Sequence, residues 1–203
     1  MSTVRRLYFY GLVLLSIEVI IWGTISLLRT IISHGLMGDG RSLATGLSLV
    51  LVGIPIFWLH WRTVQRDALR EPEEHASRIR AVFLYSALLA TLVPIVYAVL
   101  ALVDRWLTAL FGLPSASAWF GADGSALDNI IAIIINALAL VYFWSILRKD
   151  WLSDIPENFL AEARRLYRYV WVLFGLVITI SGVYNLIRYL LGLNEPDADR
   201  ILV

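Results

Sequence analysis

The 203-residue chain contains no cysteine. Disulfides, thiolate metal sites, cysteine nucleophiles and iron–sulfur clusters are therefore excluded at once. Charge is nearly as scarce: 16% of the residues are Asp, Glu, Lys or Arg, against about 25% in an ordinary soluble domain. The net charge of +1 leaves no basic surface to spare, so no nucleic-acid partner is expected. No nucleophile–base pair, phosphate-binding loop, metal-ligand spacing or dinucleotide fingerprint can be read along the chain. The expectation is a non-enzymatic protein with no catalytic residues, no metal and no cofactor.

What the chain has instead is apolar length. Hydrophobic residues make up 59%, and the mean hydropathy is +0.74. Runs of about 18 or more apolar residues are candidate membrane spans, and there are five: Leu7–Leu28, Leu43–Trp61, Ala81–Val103, Leu127–Leu147 and Tyr169–Leu191. The fold class expected is an all-α integral membrane protein, a five-helix transmembrane bundle forming one domain over residues 1–203. Arg5-Arg6 ahead of the first run resembles the start of a signal peptide. The run is too long for one, however, and no small-x-small site follows, so cleavage is not expected.

Arginine sets the orientation. One side of the five spans collects twelve basic residues, among them Arg5, Arg6, Arg62, Arg66, Arg78, Arg80, Arg148, Lys149, Arg164 and Arg165. The other side holds five: Arg29, Arg41, Arg105, Arg188 and Arg200. Basic flanks stay cytoplasmic, which places the N-terminus inside and the C-terminus outside a bacterial cytoplasmic membrane. Trp58, Trp61, Trp144, Trp151, Tyr8 and Tyr10 cluster at the inner ends of spans, where amphipathic rings favour the headgroup level.

The phrase VRRLYFY, from Val4, returns as ARRLYRY, from Ala163. At a shift of 84 residues Pro72-Glu73 falls on Pro156-Glu157, Arg80 on Arg164 and Tyr85 on Tyr169. Spans two and four match as well, Phe57-Trp58 on Phe143-Trp144. The order implied is A-B-A-B-A, a parallel internal repeat with copies at about 1–70 and 71–155, an extra half-repeat at about 156–192 and an outer tail at 193–203. The long A helices are expected to begin near Pro72 and Pro156, since proline suits a first helical position and the acids beside it complement the helix dipole. Helix two is expected to run past Trp61 toward Arg70. The segment Leu110–Ser125, with Trp119 and Phe120, reads as a surface loop.

Within the spans, small residues form stripes suited to helix packing: Ser42, Gly46 and Gly53; Ala132, Asn136 and Ala139; Gly175, Thr179 and Gly182, with Asn185 beside them. Glu18 is the sharp feature, a carboxyl group near mid-span where a charge costs roughly 3 kcal/mol on insertion scales. Three readings stay open for it. A neutral Glu18 hydrogen-bonds Asn136 or another helix, it meets a basic group or cofactor on a partner subunit, or it serves a proton or ion relay. His60, in FWLHW, reads as an interfacial histidine between tryptophans. The alternative is a pigment ligand.

The RRLYFY start, Trp22-Gly23, Phe57-Trp58-Leu59-His60-Trp61 and Glu74-His75-Ala76-Ser77-Arg78 together resemble a bacterial family of uncharacterised multi-pass membrane proteins, a domain of unknown function seen in Chloroflexi-like bacteria. The resemblance implies location and topology only. The function expected from the residues is that of an integral membrane subunit or scaffold. It would contact membrane lipids and pack against other membrane proteins or itself, in a respiratory or photosynthetic assembly for instance. The alternative is a small transporter, channel or proton-linked sensor centred on Glu18.

Overall fold

The structure is a computed structural model that describes residues 3–35, 40–70, 77–111, 125–152 and 157–190. Five α-helices occupy them: α1 Thr3–His34, α2 Gly40–Arg70, α3 Arg78–Phe111, α4 Ala126–Trp151 and α5 Glu157–Leu190. No strand occurs among the described residues. Each helix contains a segment of 26 to 33 residues that is long and apolar enough to cross a bilayer, where about 20 would suffice. The chain is therefore all-α, with the helices of a multi-pass membrane protein.

Helix is the form such segments must take, because hydrocarbon offers no partner to an exposed backbone N–H or C=O. The hydroxyls inside the spans obey the same rule by bonding back to their own helix. Ser16 donates to the Leu12 carbonyl at 2.7 Å and Thr91 to the Ala87 carbonyl at 2.9 Å. Pro55 and Pro94 lie within α2 and α3 without ending them. A lost helical bond of this kind is tolerated where neighbouring helices hold the segment.

α2 runs on to Arg70, as its basic residues at every fourth position imply, and α3 spans 34 residues. Pro72, His75, Pro156, Trp119 and Phe120 lie outside the described residues.

Contacts along the chain define two compact units, residues 1–163 and 164–203, with the boundary inside α5. In the first unit α1 packs most extensively on α2 and α3 on α4, while α1 also touches α4 and α3. Residues early in α1 and α3 (Tyr10, Phe83) meet residues late in α2 and α4 (Trp61, Phe143) in one aromatic cluster, with ring centroids 5.0 to 6.0 Å apart. Successive helices therefore alternate in direction, giving an up-down-up-down four-helix arrangement. Further along, Ile21 and Ile25 of α1 pack with Ala98 of α3 and with Ile131 and Ala132 of α4.

The α1–α2 contact depends on glycine. A Cβ on Gly23 would stand 2.8 Å from Leu49 Cβ and 3.1 Å from the Gly46 carbonyl oxygen. One on Gly46 would stand 2.8 Å from Leu27 Cγ, and one on Gly53 2.8 Å from Ile20 Cγ1. The expected stripe on helix two thus forms a close backbone crossing at Gly46 and Gly53, as small residues do in lipid. Gly23 supplies the opposing surface.

The second unit is the remainder of α5. There Arg164 and Tyr169 are exposed, whereas Arg80 and Tyr85 of the first unit, expected from the sequence to correspond to them, are buried.

Candidate functional site

Polar side chains within spans are the natural candidates, because each must be satisfied or be costly. Glu18 projects from α1 and is half-buried. Its Oε2 accepts a hydrogen bond from the indole Nε1 of Trp22, one turn further on, at 3.2 Å. Trp22 itself is 51% exposed. Glu18 Oε1 is covered by protein and meets no donor.

A bond between Glu18 and Asn136, one of the readings left open by the sequence, is not formed. Counted from the aromatic cluster at the helical rise, Glu18 stands about 12 Å past Tyr10 and Asn136 about 10 Å before Phe143, so the two share a depth. Asn136, 1% exposed, is instead turned along its own helix, its Nδ2 donating to the Ala132 carbonyl at 2.9 Å. Its Oδ1 is buried without a donor. A local i−4 bond costs the side chain no reach, and here it prevails over the interhelical one. Asn185 is half-buried on α5, in the second unit.

His60 lies late in α2, among aromatic side chains of α1. Its Nδ1 donates to the Ile56 carbonyl at 2.7 Å, and its ring lies 5.5 Å from Phe9 and 6.2 Å from Tyr8, centroid to centroid. Trp58, two residues before His60, takes the guanidinium of Arg62 over its ring at 5.2 Å.

The strongest polar contact was not singled out from the sequence. Arg80, near the start of α3, meets Asp150, near the end of α4. Nε donates to Oδ2 at 2.9 Å and Nη2 to Oδ1 at 3.3 Å, with the two side chains 4% and 5% exposed. This is a fork-on-fork pair, the geometry in which guanidinium and carboxylate bind best. Gln65 Oε1 of α2 accepts from Nη2 at 3.5 Å, and the Tyr10 hydroxyl of α1 faces the same guanidinium. One side chain from each of the four helices thus converges at one end of the unit. The signal was present in the sequence, since Asp150 is the lone acid in Arg148-Lys149-Asp150-Trp151.

The opposite end has a looser counterpart. Arg29, late in α1, places Nε 3.7 Å from Asp128 Oδ1 and donates from Nη2 to the Asp128 backbone oxygen at 3.2 Å. Asp128 is also the third residue of a capping box. The Ser125 hydroxyl accepts from the Asp128 N–H, and the Asp128 carboxylate accepts from the Ser125 N–H. The acid therefore complements the positive end of α4, and Arg105 adds its charge to the same spot.

One open groove of about 300 Å³ indents the surface between α1 and α3, beside the Arg80 end. Apolar side chains line it, with Arg78 at one limit and Ser86 at the other. No group of three or more His, Cys, Asp or Glu able to hold a metal occurs among the described residues.

The model of one protein family, described as a domain of unknown function, DUF5671, matches residues 6–145. That stretch runs from the first turn of α1 into the last two turns of α4. No curated protein and no solved structure matches the chain.

Proposed function

Because the chain belongs to the DUF5671 family, whose description carries no activity, we propose from the geometry alone that it is a non-catalytic integral membrane subunit that docks laterally on other membrane proteins. The carrying observation is the Glu18–Trp22 pair. Within the four-helix unit no donor meets the covered Oε1 of this carboxyl group: Asn136, at its depth, bonds elsewhere. The donor that Glu18 does use is a half-exposed indole on the flank of α1. A hydrogen-bonded polar pair at mid-membrane is a handle for a neighbouring helix, since polar contacts and small residues, rather than hydrophobicity, bring helices together in lipid.

Extraction in a mild detergent tests the reading. The wild type should migrate with other chains well above 22.9 kDa, and Glu18→Leu should release it. A clean monomer in both cases would defeat the proposal. The second reading, a proton-linked transporter or sensor, draws on the same mid-span carboxyl. It requires flux in proteoliposomes that Glu18→Gln abolishes. In either case the excess of basic residues beside the Arg80 end favours the N-terminus inside.

A further inference from the structure

The groove between α1 and α3 belongs to neither polar cluster, and its shape restricts what can occupy it. Its walls are Leu7 and Leu14 of α1 against Val82 and Phe83 of α3. Leu7 and Val82 are open to the surroundings, while Phe83 closes the back. Gly11 forms the floor between the two leucines, and a Cβ there would meet nothing within 4 Å. From Arg78 to Ser86 the groove extends about 12 Å along the helix axis. Half the hydrocarbon core is about 15 Å. The groove therefore lies within a single leaflet. A transmembrane helix from another protein would need a track along most of the bilayer, whereas an acyl chain does not.

Charge marks the headgroup end. Arg78 stands at the mouth with its side chain 67% exposed. Its ion pair with Glu162 is long, at 3.6 Å, and solvent-exposed, a kind worth about 0–1 kcal/mol. Arg5 and Arg6 immediately precede Leu7, so two further guanidinium groups enter the same turn of α1. Guanidinium is suited to phosphate because its planar fork matches two oxygens at once.

We propose that this groove binds one anionic glycerophospholipid, with an acyl chain along Leu7, Gly11 and Leu14 and the phosphate on Arg78. The site is independent of the Glu18 docking face, and either can fail without the other.

The full-length protein is placed in phosphatidylcholine nanodiscs containing phosphatidylglycerol with a photoactivatable acyl chain. Bound lipid is counted by native mass spectrometry and labelled peptides are mapped. One phosphatidylglycerol should remain bound, with labels on α1 between Leu7 and Leu14 and on α3 between Val82 and Ser86. Gly11→Leu, which fills the floor, should abolish both signals. Gly11→Ala, which adds one methyl group into open space, should keep them and show that helix α1 tolerates substitution there. Arg78→Gln should keep the acyl label but lower the preference for phosphatidylglycerol over phosphatidylcholine about fivefold, the contribution of one arginine near a membrane surface. Retention of the lipid by Gly11→Leu would overturn the proposal. So would labels spread evenly over all spans, or a photoprobe at position 11 that captures protein instead of lipid.

Discussion

Removing one partner of the Arg80–Asp150 pair should cost far more than removing both. Each side chain is about 95% shielded, so a single variant such as Asp150→Leu leaves an arginine buried and uncompensated. Coulombic attraction between unit charges about 4 Å apart is near 4 kcal/mol at an effective dielectric of 20. Breaking a buried pair from one side typically costs 3–5 kcal/mol. We therefore expect Asp150→Leu and Arg80→Met each to destabilise the four-helix unit by about 3–5 kcal/mol. The double variant should cost no more than about 1–2 kcal/mol, because an apolar pair of similar volume avoids the desolvation penalty altogether. The contact of Gln65 with Arg80 is long, at 3.5 Å, so its loss adds little. The assay is reversible unfolding in mixed micelles, followed by tryptophan fluorescence and assembled into a double-mutant cycle. Single variants costing under 1 kcal/mol, or costs that simply add in the double, would refute the claim that the two charges are buried together.

The glycines should divide by environment. Gly23→Val and Gly46→Val, built into the α1–α2 crossing, should each destabilise by about 1–3 kcal/mol through overpacking, whereas Gly11→Ala should be neutral or slightly stabilising, as alanine is the better helix former; thermal unfolding in detergent separates the two classes. Ser125→Ala removes an N-cap and should cost about 1 kcal/mol. Asp128→Ala should cost more than the cap alone, because it also frees Arg29, and amide exchange should rise first in the opening turn of α4. If each of the five helices crosses the bilayer once, reporter fusions at residue 1 and residue 203 should give opposite signals.

The existence and order of the helices were legible because lipid enforces long apolar runs, and those runs are visible without any partner. The boundaries read less well. α1 extends upstream to Thr3 and downstream to His34, since the polar turns that cap a span carry no apolar signal yet continue its hydrogen bonds. Gly46 and Gly53 were read correctly as packing residues because small side chains have few other uses in a span. The partner of Glu18 was not legible. Equal depth made Asn136 a plausible donor, but sequence distance cannot show that the amide is turned onto Ala132. Asp150 does not stand out in the sequence because two basic neighbours give it the look of a solvated flank, while its partner lies 70 positions away.

The two ion pairs share one element. α4 is clasped by α3 through Asp150 at one end and by α1 through Asp128 at the other. A piston stroke of this rod by one helical turn, about 5.4 Å, would have to tear both clasps together. A displacement of α4 relative to α3 and α1 is therefore expected to be a tilt or splay about these two rivets, not a sliding past them.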